Sequence, residues 1–115
     1  MIRDAINKPT IKLKTSINVY RGYMNSDDLI NWLIVILKNS NKNCPVFNVG
    51  SDKEINLKLL GQKIAEIFNK KLVSNNIQNR KNDYYVPSIK KAKKHLKLKI
   101  SIDLNDSLNS FIKLK

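Results

Sequence analysis

Few side chains in this sequence can act as nucleophiles, general bases or metal ligands. Cys44 is the only cysteine and His95 the only histidine. A zinc centre takes about four Cys, His or carboxylate ligands, so a structural metal site is not expected, and no disulfide can close within the chain. Cys44 opens the apolar stretch ending at Val49 and reads as a small buried filler; His95 follows Lys93 and Lys94 on a basic, solvated face. Arg21 stands between two tyrosines, and Arg80 and Asp83 share a polar loop where a surface Arg–Asp pair is the plain reading. Gly22, Gly50 and Gly61 stand isolated, so there is no glycine-rich turn of the kind that brings pyrophosphate against backbone N–H groups.

The elements that must position these residues alternate between the two regular periods. Met1–Asn7 reads as the end of a helix stopped before Pro9, and Ile11-Lys12-Leu13-Lys14 alternates as a half-buried strand. A loop leads to Tyr20-Arg21-Gly22-Tyr23-Met24. Ser26, Asp27 and Asp28 supply capping oxygens and negative charge for a helix from about Asp28 to Leu37, with Asp28 as an N-cap. That helix is apolar almost all round, with Trp32 as core, and calls for cover on more than one side. Val46-Phe47-Asn48-Val49 reads as a buried strand in which Asn48 ties backbone groups together. Asn56 caps a helix carrying Leu57, Leu60, Ile64, Ile67 and Phe68 on one stripe, followed by a short strand at Leu72-Val73. A polar loop spans Asn75–Asn82. Ser88 caps a third helix with Ile89, Ala92 and Leu96 inward, extended chain follows through Ile102, and a last helix places Leu104, Leu108, Phe111 and Ile112 on one face. The class is α/β, with residues 1–115 as a single domain.

The net charge of +13 over 115 residues attracts nucleic acid, anionic membranes and phosphorylated small molecules alike. Lysine, however, occupies nearly every solvent face instead of one stripe, and aromatic residues make up only 7%, so no stacking platform is interleaved with the charge. A small basic nucleic-acid-binding or interaction module is therefore the alternative reading, with nucleic acid the less favoured partner. The longest apolar run, Leu29–Leu37, is about half the length that spans a bilayer. With no export signal and no disulfide, a reducing cytoplasm is expected.

Five segments, in order, resemble the extended short-chain dehydrogenases. Tyr20-Arg21-Gly22-Tyr23 leading to Asp28-Leu29 is similar to that family's Arg-x-Tyr…Asp-Leu segment, and Phe47-Asn48-Val49-Gly50-Ser51 to its Tyr-Asn-Ile-Gly-Ser. Arg80-Lys81-Asn82-Asp83 resembles its Arg-Pro-Gly-Asp turn, Val86 to Leu96 its Asp-x-Ser-Lys-Ala-x-x-x-Leu stretch, and Leu104 to Ile112 its closing helix. Lys81-Asn82 replaces the Pro-Gly of the turn, and Lys97-Leu98 replaces the usual Gly-Trp. The nearest branch is the NAD-dependent nucleotide-sugar epimerases and dehydratases, the dTDP-glucose 4,6-dehydratase group among them, which serve polysaccharide biosynthesis.

The resemblance implies the C-terminal, substrate-binding portion of such an enzyme: an edge helix–strand unit of the Rossmann sheet plus the small α/β lobe. It implies Arg21 and Arg80 as holders of the diphosphate of a nucleoside-diphosphate sugar, a task suited to a planar, permanently charged guanidinium. Asp83 is implied as the acid beside the ribose or these arginines. It also implies that the N-terminal NAD-binding half is missing. The family's catalytic Tyr has a Lys four residues on to lower the phenol's pKa. Here Tyr20, Tyr23, Tyr84 and Tyr85 are followed at that spacing by Met24, Asp27, Ser88 and Ile89. No catalytic residue and no cofactor are thus expected in this chain; NAD belongs to the complete enzyme, and the expected partners are the sugar nucleotide and either a separate NAD-binding half or a second copy. The isolated chain should bind no NAD, and calorimetry giving stoichiometric binding near micromolar affinity would contradict this.

Overall fold

Alternation along Thr10–Leu13 (β1) buries Ile11 and Leu13 and exposes Lys12, the period-two pattern of a half-buried strand. The computed structural model describes residues 1–76 and 78–114, with side chains other than those of 78–80, 113 and 114. β1 follows a short helix, Ile2–Asn7 (α1), and is succeeded by Ile17–Gly22 (β2), Ser26–Lys38 (α2), Glu54–Asn56 (β3) and Leu57–Ile67 (α3). Lys71–Ser74 (β4), Gln78–Tyr85 (β5), Lys90–Leu96 (α4) and Leu104–Ser110 (α5) complete the order, with a 3-10 turn at Phe111–Leu114. β1 pairs in parallel with β4. In a second sheet β2 is central, antiparallel to β3 on one side and parallel to β5 on the other.

Two apolar clusters hold these elements. The first joins Ala5, Ile11, Leu60, Ile64, Ala65, Phe68 and Leu108, so the stripe expected on α3 is the face that covers β1 and meets α1 and α5. Asn56 caps α3 as expected, its side chain accepting from Lys58 N at 2.8 Å. The second cluster centres on Trp32 with Ile89, Ala92 and Leu98, and Phe47 and Val49 pack against it.

What links the clusters is polar. Asp28 is 2% exposed, and its Oδ2 accepts the backbone N–H groups of Ser101 and Ile102, both at 2.9 Å. Trp32 Nε1 donates to Lys99 O at 2.9 Å, and Asn25 Nδ2 to Ser107 Oγ at 2.9 Å. The segment between α4 and α5 is thereby strapped along α2. Asp28 is not the N-cap: that place belongs to Asn25, whose side chain accepts from Asp27 N, so the helix starts earlier than expected. Three oxygen-bearing residues in succession, Ser26, Asp27 and Asp28, hid the true cap one position upstream.

Several other expectations are corrected. Residues 46–49 form no strand, and Val46 is 74% exposed; Asn48 does tie backbone, donating to Ser88 O at 3.1 Å. Extended chain counts as a strand only when a neighbour completes its ladder, and no described strand lies beside this one. Cys44 is exposed, at φ 46°, and fills no core. The expected polar loop at 75–82 is largely β5, and Ser88 does not cap α4, which begins after Ile89 without a side-chain cap.

The α2 helix is covered on one side only. Leu29, Ile30, Leu33, Ile34 and Leu37 face solvent, Leu37 at 72%. The molecule is a slab of 50 × 39 × 17 Å with a radius of gyration of 16.8 Å, against about 13 Å for a compact chain of this length. Among the described residues no helix is long and apolar enough to cross a membrane. The strap yields a direct test. Asp28→Ala leaves two backbone donors without their acceptor and should cost about 2–4 kcal/mol in urea denaturation, whereas Asp28→Asn, which keeps one accepting oxygen, should cost less than half as much.

Candidate functional site

Arg21 sits near the end of β2, where the strand is flanked on both sides. Its Cα partners are Ile55 on β3 and Tyr85 on β5. Because side chains alternate across a strand, the register puts Arg21, Ile55 and Asp83 on one face, and Tyr20, Glu54 and Tyr84 on the other. The fold closes tightly after Arg21. A Cβ on Gly22 would lie 2.0 Å from Ser51 O, and a Cβ on Gly50, at φ 153°, would lie 2.8 Å from Pro87 Cγ. The two glycines let the 50–51 turn and Pro87 seat against the end of β2, which fixes β2 beside the chain leaving β5.

On the first face Arg21 Nη2 meets Asp83 Oδ2 at 2.5 Å, while Nη1 donates to Asp83 O at 3.2 Å and to Tyr20 O at 2.8 Å. The hydrogen bond it donates to the Asp83 carboxylate raises the guanidinium's pKa above its ordinary value. The pair is open to water, 30% exposed at Arg21 and 48% at Asp83. A fixed, charged fork at a sheet surface is suited to gripping an oxyanion with two oxygens. The structure thus brings together two of the three expected site residues, and Asp83 pairs with Arg21, where the plain reading had paired it with Arg80. Arg80 lies earlier on β5, and its side chain is outside the described residues.

Sequence reasoning missed the opposite face. The Tyr20 and Tyr84 rings lie with centroids 5.9 Å apart, and Tyr84 donates its phenol proton to the Glu54 carboxylate. Only the β3–β2–β5 register, joining segments far apart in the chain, reveals this ladder. Tyr23, just past Arg21, helps line a cavity of about 600 Å3 with Met24, Asn25, Leu60, Leu104 and Phe111, a volume within the range of small-ligand sites. Burial there raises the Tyr23 phenol above its ordinary pKa.

No family model and no curated protein matches this sequence. Solved structures do match its fold. WbmF from Bordetella bronchiseptica, in complex with NADH, is 25% identical with a TM-score of 0.78 over 97% of this chain and 34% of its own. UDP-glucose 4-epimerase from Thermotoga maritima, with UDP-glucose, is 17% identical with a TM-score of 0.76 over 97% and 36%. dTDP-glucose 4,6-dehydratase from Bacillus anthracis, in complex with NAD, is 14% identical with a TM-score of 0.76 over 97% and 36%. The fold is the α/β fold of the C-terminal part of such extended short-chain dehydrogenase structures. The chain spans about a third of the length of the structures it matches.

The tyrosine ladder has a pH signature. Its hydrogen bond to Glu54, and then burial, raise the Tyr84 pKa. A raised phenol pKa favours the protonated fold, so this contribution is full below the ordinary phenol value and is lost as pH rises through the raised one. Alkaline absorbance titration should find Tyr23 and Tyr84 ionising above the ordinary phenol range, and Glu54→Gln should return Tyr84 toward it while leaving Tyr23 raised.

Proposed function

We propose that residues 1–115 form the sugar-nucleotide-binding portion of an NAD-dependent nucleotide-sugar epimerase or dehydratase, incomplete for turnover without a cofactor-binding half. The observation that carries this reading is the Arg21 guanidinium, held by Asp83 of the neighbouring strand on a fold shared with nucleotide-sugar enzymes. In this role Arg21 and Arg80 grip the diphosphate, and Asp83 aims Arg21 between substrate visits. The cavity beside Tyr23 offers room for the less charged part of the ligand.

The chain's own residues do not suit NAD. Gly22 and Gly50 are spent on close backbone approaches, and none of the glycines belongs to a glycine-rich turn. Hydride transfer and the Tyr–Lys base therefore fall to another polypeptide segment. The open apolar face of α2 supports such a partner, since exposed patches of this kind mark interaction surfaces. A reducing cytoplasm suits the exposed Cys44 thiol.

The reading is tested by joining the chain to a cofactor half in trans and titrating UDP-glucose. Arg21→Ala and Arg80→Ala should each cost about 1.5–3 kcal/mol of binding, roughly ten- to a hundredfold in affinity, with NAD binding unchanged. Arg21→Lys should recover part of the loss, because an ammonium lacks the two-point grip. Equal loss of cofactor and sugar-nucleotide binding would make the arginines structural supports and defeat the assignment.

A further inference from the structure

A second concave surface, sharing no lining residue with the Arg21–Asp83 pair, lies where the turn after Ser51 faces the chain leaving α4. It encloses about 360 Å3 and is lined by Asp52, Lys53, Lys93, Lys97, Lys99 and the apolar floor of Leu98 and Ile100. Four lysines thus meet one carboxylate. Three other cavities differ: one pairs Glu54 with Lys58, one sets Lys53 and Lys63 against Glu54 and Asp103, and the one beside Tyr23 carries Asp27 alone among ionised side chains. Lysine is spread over the surface of this chain, yet of these four cavities this one alone gathers an excess of positively charged side chains.

The wall is also held in place. Lys97 takes a left-handed backbone, φ 55° and ψ 25°, at the C-terminal end of α4, which turns the chain out of the helix. Leu98 is buried, Lys99 O accepts from Trp32 Nε1, and Ser101 and Ile102 beyond are fastened to Asp28. Lys97 and Lys99 therefore leave a pinned backbone. Opposite them, Lys93 Nζ reaches Asp52 Oδ2 at 2.6 Å, and that hydrogen bond holds the Asp52 carboxyl below its ordinary pKa. Asp52 is ionised at neutral pH and occupies the place an incoming anion would take beside Lys93.

We propose that this cavity binds a small polyphosphate anion, gripped by Lys53, Lys93, Lys97 and Lys99, with Asp52 as the internal competitor. Ammonium groups suit such a ligand as point charges free to follow its oxygens, and the volume falls at the small end of ligand sites. The proposal goes beyond the sugar-nucleotide reading and does not depend on it.

The test titrates inorganic pyrophosphate into the full chain at low salt by calorimetry. Wild type should bind it measurably. Lys97→Asn with Lys99→Gln should weaken binding about tenfold or more; asparagine is chosen because it tolerates the left-handed backbone. Lys12→Gln with Lys14→Gln removes the same charge from β1 and the residue that follows it and should have little effect. Asp52→Asn should tighten binding, since it frees Lys93. If the first pair unfolds the chain, Lys53→Gln on the facing turn reads the same site and should also weaken binding. Undetectable binding by wild type, or equal weakening by both lysine pairs, would overturn the proposal in favour of a diffuse positive field. Duplex DNA displacing pyrophosphate through the same lysines, with a steep salt slope, would overturn it in favour of a nucleic-acid surface.

Discussion

The fold depends on one buried carboxylate. Asp28 sits in the first turn of α2, where the helix dipole favours a negative charge, and its oxygen is shared by two backbone N–H groups from the segment between α4 and α5. An ion this buried is costly unless it is hydrogen-bonded, and here both donors come from a strap that would otherwise have no ladder. The strap carries Leu98 and Ile100 into the Trp32 cluster, and the chain beyond it delivers Leu108 to the other cluster. Two separate apolar cores are thus joined through polar contacts at Asp28, Trp32 and Asn25. The backbone that Asp28 and Trp32 pin is also the backbone from which Lys97 and Lys99 emerge.

How much of this was legible in the sequence depended on whether an element carries its own signal. β1 and α3 do: strict alternation and a clean apolar stripe settle their faces without knowledge of neighbours. β5, reading Gln-Asn-Arg-Lys-Asn-Asp-Tyr-Tyr, does not. Its polar composition is that of a loop, and it is a strand because β2 offers a parallel ladder. The converse holds at 46–49, where four strand-like residues lack a partner. The candidate site divides the same way. Arg21 and Asp83 were each recognisable from the motifs around them, but they lie 62 positions apart, and only the register of β2 on β5 makes them a pair.

The same dependence on neighbours explains the shape. A helix apolar nearly all round asks for two covering layers, and α2 has one. A slab 17 Å thick holds little more than a single layer of helices against strands. Association through the bare face is opposed, between copies of this chain, by the mutual repulsion of +13 on each. A partner of lower or opposite charge meets no such barrier. The structures that share this fold are about three times as long, and in the proposed role a cofactor-binding half would also supply the cover that α2 lacks here.

The Arg21–Asp83 pair fits that role through its weakness. An ion pair open to water contributes little to stability, about 0–1 kcal/mol, so opening it costs the fold almost nothing. It still fixes the guanidinium on the sheet face, with Tyr20 O and Asp83 O as further anchors. A diphosphate brings more negative charge than a single carboxylate and more oxygens for the fork to reach. It would therefore displace Asp83 or share Arg21 with it, without repacking a core. A buried pair in the same place would be locked, because taking one partner away strands an uncompensated charge. Exposure at Asp83 makes the arginine both placed and exchangeable, the two properties a binding residue needs before its ligand arrives.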